Sequence, residues 1–148
     1  MATASGMTIR SLLAFPLLAL LMGPAMAAGS SEGHGMGGRF IYFDPIVTQY
    51  NQSGEEFRIT GHCQSACTLF LAIRHVCIEP SAELLFHAGG DRATGAVGVR
   101  ETQHMLNAYN GRLRSYLLAH HAMDTFDFFR ISGRDVIQKF GYRQCSGA

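Results

Sequence analysis

The chain has 148 residues, 47% of them hydrophobic and 16% charged, with a formal net charge of +1. A charge so near zero provides no long-range field to gather nucleic acid or an anionic lipid surface, so neither is expected as a partner. The length suits one domain with a single core.

MATASGMTIR carries one cation and no acid, and SLLAFPLLALLM (11–22) is an apolar run. That run is shorter than the roughly 20 residues a spanning helix needs. Pro24 breaks it, and Ala25-Met26-Ala27 has the small-x-small form that signal peptidase accepts. Residues 1–27 therefore read as a cleaved signal peptide, and the mature chain as exported, periplasmic or secreted, without a membrane contact after cleavage. Without Arg10 it carries 11 basic and 11 acidic residues. All four cysteines, Cys63, Cys67, Cys77 and Cys145, lie in the exported part. An oxidising compartment favours one or two disulfides among them, in any of three pairings.

AGSSEGHGMGG (28–38) is small, polar and glycine-rich, the composition of a mobile leader ahead of a single domain over 39–148. RFIYF (39–43) suits a short strand or the first turn of a helix. Asp44-Pro45 predicts a helix start, with the aspartate as N-cap, and Gly54 its stop. EEFRIT (55–60) reads as a strand ending at Gly61. ACTLFLAI (66–73) is apolar on all sides and predicts a short helix buried from several directions. HVCIEP (75–80) is a short extended piece, and AELLFHA (82–88) lacks alternation, as in a strand buried on both faces. GGDRATGAVGV (89–99) predicts a long flexible loop at the edge of a substrate site, or a lid. Over 101–121, Leu106, Tyr109, Leu113, Tyr116, Leu117 and His120 recur at helical spacing, giving the longest amphipathic helix. A last helix over 132–140 has Ser132 as cap and Gly141 as stop. Alternating strands and helices argue for an α/β fold.

Two residues carry candidate chemistry. Ser65 stands between a strand and an apolar helix, where the N–H of Ala66 would lie beside its hydroxyl at the positive end of the helix. A hydrolytic serine needs such a donor for the oxyanion, and a base to take its proton. His87 ends an apolar strand before Ala-Gly-Gly, where an imidazole could serve as that base. Each has a plainer reading: Ser65 as a helix cap, His87 as a satisfied core histidine. A different chemistry is also open, because Cys63-x-x-x-Cys67 with His62 has the form of a soft-metal or redox site. The neighbouring His120 and His121 point in two directions from one helix, so at most one could join any site.

GHCQSACTLFLAIRHVCIEPSAELLFHAGG (61–90) resembles the Clp-protease/crotonase superfamily, and specifically exported proteins that look like the Clp proteolytic subunit. The likeness covers roughly 37–141. It lies in the order of parts: a serine opening an apolar helix, a proline-ended strand, then a histidine closing the next apolar strand. The resemblance implies a Clp/crotonase-like α/β core and a serine hydrolase acting on peptide or acyl bonds without a cofactor or metal. It implies Ser65 as nucleophile, His87 as general base, and the Ala66 and Gly38 N–H groups as oxyanion donors. Asp127 is the matching residue to orient His87, with Asp124 behind it. The strand expected before Gly37-Gly38 would fall in the leader, so the core reads as short and truncated at its first edge. Such an open edge invites pairing with a second copy. The alternative on the same fold is a catalytically inactive binding module.

Overall fold

A computed structural model describes Met1 and residues 28–147, so the expected signal peptide, apart from Met1, lies outside the described residues. The domain is a mixed α/β structure made of two three-stranded sheets and a small hairpin, flanked by helices. The first sheet has the order β1 (Gly29–Ser30), β2 (Phe57–Ile59), β4 (Val76–Ile78), all parallel. The second has the order β3 (His62–Gln64), β5 (Glu83–Phe86), β8 (Phe129–Ser132), with β3 parallel and β8 antiparallel to β5. The strand expected over 55–60 is β2, and beyond Gly61 the chain forms a further strand, β3, in the other sheet.

The 28–38 segment corrects one expectation. It is not a leader outside the domain: Gly29 and Ser30 pair with Phe57 and Arg58. The first sheet therefore opens on β1, only two residues long. Ser31 then locks the segment down, its buried hydroxyl accepting from Thr60 N–H and donating to Thr60 O. Composition hid this, because small polar residues suit a strand edge held by backbone and hydroxyl bonds as well as they suit a leader.

RFIYF resolves into a single 3₁₀ turn, Phe40–Tyr42, leading into α1 (Asp44–Ser53). Pro45 stands in the first turn of α1 and Gly54 ends it as expected. Asp44, however, caps nothing; its carboxylate accepts from His104 Nε2 at 2.9 Å. After β3 the chain winds into a 3₁₀ helix, Ser65–Ala72, of which Ala66 through Leu71 are buried. Its Phe70 meets Phe57 and Phe43, with ring centroids 4.5 and 5.4 Å apart. An apolar helix without a polar face has to be covered on every side, and here sheet, α1 and later helices do so.

The 89–99 segment is not an irregular loop but an exposed hairpin, β6 (Gly90–Asp91) against β7 (Ala96–Val97). The long helix expected over 101–121 is broken into α2 (Val99–Asn107) and α3 (Gly111–Ala119). The cause is Asn110, whose side-chain oxygen accepts from Leu113 N–H while its amide donates to Phe140 O. A capping bond of this kind competes with continuation of the helix, and apolar spacing cannot register it. α4 (Gly133–Phe140) has Ser132 as a true cap, accepting from Asp135 N–H, and ends at Gly141.

Candidate active site

The register of β3 on β5 brings the two candidate residues to one end of the second sheet. Cys63 lies opposite Leu84 and Gln64 opposite Leu85, so Ser65 emerges just beyond β3 and His87 just beyond β5. Both line one cleft of about 410 Å³, together with Gly38, Gln64, the start of the hairpin, Glu101 and Met105.

Ser65 has φ +54°, one of two residues other than glycine with positive φ among those described. A side chain in that region costs ~1–2 kcal/mol relative to right-handed backbone, and such strain collects at functional sites. It is held from beneath: Thr68 Oγ1 donates to Ser65 O at 2.7 Å and lies 2.7 Å from the buried hydroxyl of Tyr109. The capping role does not apply, because the Ser65–Ala72 helix has Gln64 at its N-cap position and no side-chain cap bond.

The Gly37-Gly38 turn packs against this serine. A Cβ placed on Gly37 would stand 2.6 Å from Gln64 O, 2.9 Å from Ser65 Cβ and 3.2 Å from Ala66 N. Only a glycine passes so closely. The Gly37 N–H is occupied, donating to His34 O, whereas Gly38 N–H donates to no backbone carbonyl among the described residues. Ala66 N–H belongs to the first turn of its helix, where donors have no intrahelical acceptor. Gly38 lines the same cleft as Ser65, and Gly37 is the residue whose smallness permits the turn to pack on the serine. Residue type alone did not separate the roles of the two glycines.

His87 is 3% exposed, with the Phe126 and Phe128 rings at 5.9 and 5.2 Å. Its Nδ1 lies 2.5 Å from Ala88 O. A carbonyl can only accept, so Nδ1 carries the proton and Nε2 presents its lone pair. That Nε2 is the one buried side-chain N or O without a hydrogen-bond partner among the described residues. Burial holds the His87 pKa below its ordinary value of 6.5; the Ala88 bond opposes this and the Arg92 charge adds to it. A neutral imidazole with a bare Nε2 is the form a general base requires. No hydrogen bond joins it to Ser65; contacts between a nucleophile and its base often tighten only when substrate is bound.

Asp127 does not orient His87. It is exposed, its carboxylate accepting from Thr125 Oγ1 at 3.3 Å, while its neighbours Phe126 and Phe128 turn toward the imidazole. Asp124 pairs with His121 at 2.8 Å instead. The orienting group is the Ala88 carbonyl, a backbone atom no residue pattern can announce. Sequence reasoning also missed Arg92, whose guanidinium lies 5.0 Å above the Phe128 ring and 5.7 Å above that of Phe126.

The cysteines close as Cys63–Cys67 and Cys77–Cys145. Neither sulfur of the CxxxC pair is then a thiolate, the form that binds soft metals. No group of three or more metal-ligating side chains is present among the described residues. His120 packs on Tyr116 and Phe129. Two disulfides fit an oxidising compartment, and no helix among the described residues is long and apolar enough to cross a membrane. No family model, characterised protein or solved structure matches the chain.

Proposed function

We propose that the protein is an exported serine hydrolase, peptidase-like, acting on peptide or acyl bonds and built on a short Clp/crotonase-like core. The observation that carries this reading is the pairing, in one cleft, of a strained serine at φ +54° with a buried imidazole whose Nε2 is bare. Support for the core comes from the parallel β1-β2-β4 sheet and from the glycine turn packed on the serine.

Ser65 Oγ attacks the carbonyl carbon as its proton passes to His87 Nε2. The tetrahedral oxyanion takes the Ala66 and Gly38 N–H groups, and collapse expels the leaving group, which His87 protonates. Water then repeats the sequence on the acyl-enzyme, its proton going to Nε2 and back to Ser65. Ala88 O holds the tautomer throughout. As a neutral dipole it stabilises the imidazolium less than a carboxylate would, so slow turnover is expected.

Release of p-nitrophenolate from short acyl esters and of peptides from casein tests the proposal. Wild type should turn over, and Ser65→Ala and His87→Ala should not. A binding module on the same fold is the second reading, supported by the missing Ser65 to His87 hydrogen bond; it predicts tight peptide binding without turnover in all three proteins.

A further inference from the structure

We infer that the Cys63–Cys67 disulfide is a positioning device for the Ser65 hydroxyl, a role that rests on the hydrolase reading above. The bridged cysteines stand four positions apart, with Ser65 midway between them. Cys63 belongs to β3, bonded to the strand that leads to His87, and Cys67 to the buried helix that Ser65 opens. The covalent link therefore joins the base's strand layer to the nucleophile's helix across the turn itself.

The turn needs such a clamp. Ser65 stands in a region that L side chains avoid, and a residue there persists only where its surroundings over-determine it. Gly37 packs on one side and Thr68 holds the Ser65 carbonyl from beneath. Neither stops the two flanking residues from separating and letting Ser65 relax to negative φ, which would carry Oγ away from the cleft. The bridge does. Both cysteines are fully buried, so the clamp sits inside the core, not at the substrate face.

The second disulfide makes the inference testable by contrast. Cys77–Cys145 joins residues 68 positions apart and ties the C-terminal tail to β4, beside Ile78. Stabilisation by constraining the unfolded chain grows with loop length, so the long bridge should matter more to stability and the short one more to the serine.

The experiment compares second-order labelling rates with an uncharged alkyl fluorophosphonate and melting temperatures in wild type, Cys63→Ala/Cys67→Ala and Cys77→Ala/Cys145→Ala. The first pair should slow labelling at least 10-fold with the smaller loss of melting temperature. The second should melt lower yet label within 2-fold of wild type. Cys63→Val/Cys67→Ala, which refills core volume, replaces the double alanine if that fails to fold. The Ser65 HN–Hα coupling, read by NMR in the same variants, should move only when the short bridge is removed. Equal labelling with an unchanged coupling overturns the inference and leaves the hydrolase reading standing. A wild type that does not react at all overturns the hydrolase reading instead, and the coupling alone then decides whether the bridge sets the Ser65 backbone.

Discussion

Gly37 and Gly33 offer a matched pair of perturbations. Both have positive φ, +71° and +81°, so alanine at either meets the same backbone penalty. That penalty is ~1–2 kcal/mol, about 4–8 °C in melting temperature for a domain of this size. They differ in what the new methyl touches. At Gly33 nothing stands within 4 Å. At Gly37 the methyl meets Gln64 O at 2.6 Å and Ser65 Cβ at 2.9 Å, neither of which can swing aside, and covers Ala66 N at 3.2 Å. Loss of one oxyanion donor slows acyl transfer by about 10²–10³-fold. Gly37→Ala should therefore lower fluorophosphonate labelling by about 100-fold, whereas Gly33→Ala should lose stability alone. Stopped labelling and differential scanning calorimetry read the two effects separately. Equal labelling in both variants would refute the oxyanion role given to this turn.

Three further outcomes follow from the site. The His87 pKa is held below 6.5 chiefly by burial, so the reactive neutral form is gained as pH rises through a midpoint below that value and the labelling rate is flat above it. Removing the nearby positive charge with Arg92→Gln should move that midpoint upward, with Asp91, Glu101 and Arg39 of the same cleft unchanged; a midpoint above 7 in wild type contradicts the buried base. Asp127→Asn should label at the wild-type rate, since its carboxylate serves Thr125, and a 10-fold fall would restore it as the orienting group. Thr68→Val leaves the buried Tyr109 hydroxyl without its partner and should cost about 1–3 kcal/mol by urea denaturation, while adding Tyr109→Phe should return the Tyr109 share and leave the lost bond to Ser65 O.

The readable parts of this chain are those in which local chemistry and burial agree. Ser132, followed by an apolar-periodic run and Gly141, marks α4 because cap, face and stop coincide within one segment. Leu84 and Phe86 mark β5 because a strand covered on both faces has no polar positions to spare. Ser65 and His87 are legible for a similar reason: each stands at one end of an apolar element, Ser65 at the start of the buried helix and His87 just past β5. What stays hidden depends on partners distant in the chain. β1 exists through Phe57 and Arg58, Asn110 breaks a helix through Phe140, and Asp44 gives up its cap for His104. The resemblance assigns an aspartate to orient His87, yet the partner of its Nδ1 is the Ala88 carbonyl, and backbone atoms carry no sequence signal.

The most direct measurement is peptide mapping by mass spectrometry after exposure of the folded, oxidised protein to the fluorophosphonate. A single adduct on the peptide containing Ser65, absent from His87→Ala, is the predicted result. An adduct on another hydroxyl, or one on Ser65 that forms equally fast without His87, would contradict the pairing of these two side chains.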